Sequence, residues 1–121
     1  MTHEDFVSFE QAKKLCNLGF DLKCIACYDE GEFEITSEYP TNYNSGRYRY
    51  NLISAPTLSQ AQKWLREVKE TEVIVIRIDE DIYSYIIYGE LVNVSSKTHF
   101  NFYEQALSAG IDKAFKLLKS L

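Results

Sequence analysis

Positive charge is scarce in this chain. Thirteen Lys and Arg stand against eighteen Asp and Glu, a formal net charge of −5 at pH 7. A dedicated duplex-DNA binder gains most of its affinity by neutralising phosphates, so this balance argues against one. Proline occurs only twice, against nine Tyr and seven Phe. That aromatic content excludes a linker-like or disordered chain. No apolar run approaches the roughly 18 residues of a membrane span, so no membrane association is expected. The first ten residues, MTHEDFVSFE, are acidic and carry no apolar signal core, which points to the cytoplasm. Cysteine occurs three times, as Cys16, Cys24 and Cys27. An odd number without a secretory signal reads as free thiols in a reducing compartment. A glycine-rich phosphate loop, a zincin helix, a nucleophile elbow and a dinucleotide fingerprint are all missing. No catalytic residue, no metal ligand and no cofactor is therefore assigned, and the reading leans away from an enzyme.

What remains is one domain's worth of sequence, 121 residues read as a single globular domain over 1–121. Ser8 is followed three residues later by Gln11, a capping-box spacing. Phe9, Ala12, Leu15 and Cys16 then recur at helical intervals, and Gly19 stands where the helix should stop, with Phe20 able to fold back on its last turn. A helix over 8–18 is predicted. Cys24-Ile25-Ala26-Cys27-Tyr28 and Glu32-Phe33-Glu34-Ile35-Thr36 flank Asp29-Glu30-Gly31, the pattern of a β-hairpin. Phe33 and Ile35 should share its dry face. Residues 37–46 form a turn-rich loop, and the alternation from Arg47 to Leu52 marks a third strand.

Pro56-Thr57 opens a second helix over 58–69, with Leu58, Ala61, Leu65 and Val68 on its apolar stripe, Trp64 on the flank and Gln62 facing water. Glu72 to Ile78 is β-branched and apolar on both faces, which predicts a central strand. Asp79-Glu80-Asp81 makes a turn. Ile82 to Tyr88 returns, and Glu90 to Val94 extends it past Gly89. Its alternation leaves Tyr83, Tyr85 and Ile87 as an apolar face that a helix or another chain must cover. The last helix starts near Asn101 and buries Phe102, Ala106, Leu107, Gly110, Ile111, Ala114, Phe115 and Leu118. The fold class is α+β: an antiparallel twisted sheet of four or five strands packed by three helices, in the order α-β-β-(β)-α-β-β-α.

Cys24-x-x-Cys27 is the first chemical motif to weigh. On a strand its two side chains point to opposite faces, and no second pair completes a zinc site. An acidic hairpin follows it, where a redox pair needs a helix N-terminus. Buried thiols are expected. Asp79-Glu80-Asp81 lacks the ligand spacing of a calcium loop. His3 and His99 have no nucleophile to serve.

The charge is uneven: residues 1–38 carry a net −6, residues 39–70 a net +3 and residues 71–121 a net −2. The basic middle third interleaves tyrosine with arginine. Tyr43, Arg47, Tyr48, Arg49, Tyr50 and Arg66 are therefore the candidate binding residues, since such side chains anchor protein partners or stack on bases. A protein partner or self-association is the first expectation. Weak single-stranded nucleic-acid binding through residues 39–66 is the alternative.

Three segments carry a resemblance: Val7-Ser8-Phe9-Glu10-Gln11-Ala12-Lys13-Lys14-Leu15, Ser54-Ala55-Pro56-Thr57-Leu58-Ser59-Gln60-Ala61-Gln62-Lys63-Trp64-Leu65-Arg66-Glu67-Val68, and Tyr103-Glu104-Gln105-Ala106-Leu107 through Gly110-Ile111 to Leu117-Leu118. Together they resemble a family of small uncharacterised proteins carried by phages, prophages and other mobile elements of gut Bacteroidetes. The matching motifs cover about a third of the chain. The resemblance implies a cytoplasmic accessory role and supplies no activity, cofactor or site residue.

Overall fold

The computed structural model describes residues 5–35, 39–46, 51–89 and 93–119. The class is α+β, with the element order α1 (Phe9–Asn17), β1 (Ala26–Asp29), β2 (Glu32–Ile35), β3 (Leu52–Ser54), α2 (Leu58–Val68), β4 (Glu72–Asp79), β5 (Ile82–Tyr88), β6 (Asn93–Ser95) and α3 (Tyr103–Lys119). The chain divides into two compact units, Met1–Thr57 and Leu58–Leu121.

In the first unit the predicted capping box is formed. The Ser8 hydroxyl accepts from the Gln11 N–H at 3.2 Å, and the Gln11 side chain accepts from the Ser8 N–H at 2.8 Å. Two otherwise orphaned donors at the start of α1 are thus satisfied. At the other end Gly19 has φ 95°, and the Phe20 N–H donates back to the Leu15 carbonyl at 2.9 Å. Ala12 and Leu15 are fully buried. Glu30 and Gly31 both have positive φ, 52° and 86°, so they form the two-residue turn whose twist suits a hairpin. The strand order is β2-β1-β3, all antiparallel, with Tyr28 paired to Phe33 on one side and to Ile53 on the other. An aromatic core gathers here. Phe33 stacks 5.1 Å from Phe6 and 5.5 Å from Tyr28, and Phe9 lies 5.5 Å from Tyr28. The Tyr28 hydroxyl donates to the Val7 carbonyl at 2.7 Å.

The second unit orders its strands β4-β5-β6, again antiparallel. α2 buries Leu58, Ala61, Trp64 and Leu65, and α3 buries Ala106, Leu107, Gly110, Ile111, Ala114 and Phe115. The predicted apolar face of β5 is covered from within. Gly110 of α3 lies against Val73 and Tyr85, the Tyr103 ring meets Tyr83 edge-on at 6.2 Å, and Ile87 is fully buried.

Several expectations change. The described strands form two three-stranded sheets rather than one sheet of four or five. Hairpin turns specify local pairs, whereas the grouping of hairpins into sheets is a non-local choice that no turn encodes. β5, not β4, is the central strand of its sheet. Tyr83 exchanges backbone hydrogen bonds with Phe100 at 2.7 and 2.8 Å, and the Tyr85 carbonyl accepts from Ser96. The backbone groups of odd-numbered β5 residues therefore point away from β4, and by register Val73, Val75 and Arg77 turn their backbone groups away from β5. The Gln62 side chain, expected in water, donates to the Val73 carbonyl at 2.7 Å on that outer edge. Of the expected extension over Glu90 to Val94, residues 90–92 lie outside the described residues, and Asn93–Ser95 pairs antiparallel on Ile86–Tyr88 instead of continuing β5. The third strand of the first sheet is Leu52–Ser54, and the alternating residues 47–50 lie outside the described residues. Val68, placed on the apolar stripe, is exposed at the last turn of α2, whereas the Trp64 ring packs as expected and is only 2% exposed. Ile35, expected on the dry face with Phe33, is 54% exposed; it is the last residue of β2, an edge strand of its sheet.

Candidate functional site

Tyr43 lies in the first unit, in the loop that follows Tyr39, and Arg66 lies in the second, on α2. Arg47, Tyr48, Arg49 and Tyr50, like His3, lie outside the described residues. The loop around Tyr43 is held by hydrogen bonds. Thr41 and Cys24 exchange backbone bonds at 2.8 Å each. The Asn44 side chain donates to the Phe20 carbonyl at 3.1 Å and accepts from the Ser54 N–H at 3.0 Å. The Tyr43 N–H donates to the Ser54 hydroxyl at 2.9 Å. Such bonding satisfies the backbone of a segment with little regular structure, and Tyr43 itself is half-buried.

The cysteines are free thiols. Cys24 and Cys27 are buried and Cys16 is half-buried. Burial pushes the Cys24 thiol up to about 12, against a smaller opposing pull from its hydrogen bond with Ser54. Burial thus disfavours the thiolate, the form in which a cysteine acts as a nucleophile. Among the described residues no three His, Cys, Asp or Glu side chains gather as a metal site. The turn after β4 is self-satisfied: the Asp79 carboxylate accepts from the Glu80 N–H at 2.7 Å, and Asp81 takes the left-handed conformation at φ 54°.

Arg66 is exposed and borders a shallow depression of about 330 Å³ with Glu70, Glu72, Tyr88 and Gly89. It sits where α2 ends and where β4 and β5 pair through Glu72 and Tyr88. Glu70 has φ 50°, and the next residue, Thr71, donates its N–H back to the Leu65 carbonyl at 3.0 Å. Two carboxylates stand beside the one guanidinium, so the depression offers an anion no net positive charge.

The most exposed aromatic group of the second unit lies elsewhere, at the start of α3. The Ser96 hydroxyl donates to the Thr98 carbonyl at 2.7 Å and accepts the Thr98 N–H at 3.0 Å. This small turn precedes Phe100, whose backbone bridges to Tyr83 and whose ring lies 6.2 Å from Tyr85. Two residues on, the Phe102 carbonyl accepts the Ala106 N–H, so Phe102 caps the helix from outside it. Its side chain, expected in the core, is 61% exposed, and Tyr103 beside it is 43% exposed. Tyr83, Phe100, Phe102 and Tyr103 thus put aromatic surface at one end of the sheet. Reading the sequence for a buried stripe missed this group. The signal that could have found it is Phe100-Asn101-Phe102-Tyr103, since adjacent helical positions are about 100° apart and cannot both face the core.

No helix among the described residues is long and apolar enough to cross a membrane. No protein-family model matches the chain, and no curated protein and no solved structure matches it.

Proposed function

We propose that this chain is a cytoplasmic accessory protein of a phage or mobile element that acts by protein–protein contact, with no catalytic residue assigned. The observation that carries the reading is the exposure of Phe102 and Tyr103 beside the half-buried Tyr83 and Phe100. Large apolar side chains exposed together are the surface feature that marks protein contact sites, and aromatic rings give much buried area for little conformational entropy. The resemblance of the three helical segments supports the accessory setting.

The test is association of the purified chain and of its Phe102→Ser/Tyr103→Ser variant. Sedimentation at micromolar and sub-micromolar concentration reads self-association, and a salt-dependent anisotropy titration with an oligonucleotide at about 50 mM salt, where phosphate contacts are strongest, reads nucleic-acid binding. The proposal expects a concentration-dependent dimer or larger species that the double substitution removes. A strict monomer with oligonucleotide binding overturns it in favour of the Tyr- and Arg-rich segment.

A further inference from the structure

We draw no further inference here: the strongest candidate, the outer edge of β4 where Val75 and Arg77 turn their backbone groups away from β5, carries nothing because nothing in the structure shows what covers it.

Discussion

Gly110 of α3 sits so close to Val73 of β4 that a Cβ at this position would come within 2.6 Å of Val73 Cγ1 and 3.2 Å of Tyr85 Cγ. The helix can lie this near the sheet only because position 110 has no side chain. Gly110→Ala should therefore destabilise the protein. Overpacking costs about 1–3 kcal/mol, and the gain in helix propensity returns about 1 kcal/mol of it. A lower urea midpoint is the expected result, and Gly110→Val should be worse. A raised midpoint would contradict the close approach.

Alkaline pH should unfold the protein through its buried acids. Burial raises Cys24 to about 12 from 9.0 and raises Tyr28 above 10.0. Between pH 9 and 12 the unfolded chain has lost the Cys24 proton and the folded chain has kept it. The Cys24 contribution to stability is therefore full below pH 9 and falls with rising pH, by up to about 1.4 kcal/mol per unit. Denaturant midpoints measured from pH 8 to 11 should decline, and the decline should be shallower in Cys24→Ala. Equal slopes for the two proteins would remove Cys24 as the cause.

The chain reversal after α2 holds Glu70 at φ 50°, a conformation that costs a side-chain-bearing residue about 1 kcal/mol or more. Glu70→Gly should stabilise the fold by about that amount, since glycine adopts left-handed φ without strain. Thermal unfolding with a higher midpoint is the expected outcome. An unchanged or lower midpoint would mean that the Glu70 side chain contributes more than the strain removes.

Gln62 ties α2 to the outer edge of β4 through the Val73 carbonyl. Gln62→Leu removes that donor, keeps the side chain's bulk, and should cost about 1–2 kcal/mol. Amide hydrogen exchange in β4 should speed up in the variant. Unaltered exchange would mean that water serves the carbonyl equally well.

The parts legible in the sequence were those governed by neighbours in the chain. Ser8 with Gln11 announced the start of α1, Gly19 and Phe20 its end, and Asp29-Glu30-Gly31 the first hairpin, because caps and tight turns are set by a few consecutive residues. What depended on distant partners was not legible. β4 reads as central because both of its faces are apolar, yet it lies beside β5 on one side and receives the Gln62 side chain on the other. Val68 reads as core from helical spacing and is exposed. Periodicity fixes an angle around a helix axis, but not how far along the axis the cover extends. The same limit hid the aromatic group at the start of α3: Phe102 fits the apolar spacing but falls one residue outside the helix. Of the binding residues named from composition, Tyr43 is tied into its loop by its backbone and Arg66 stands between carboxylates.

Photocrosslinking from position 102 tests the proposed contact surface most directly. With p-benzoylphenylalanine in place of Phe102, irradiation in the native host should give a discrete protein adduct, either a dimer of this chain or one defined partner. The same group in place of Asp112, exposed farther along α3, should give none. Matching adducts from both positions, or none from position 102, would contradict a contact surface at the start of α3.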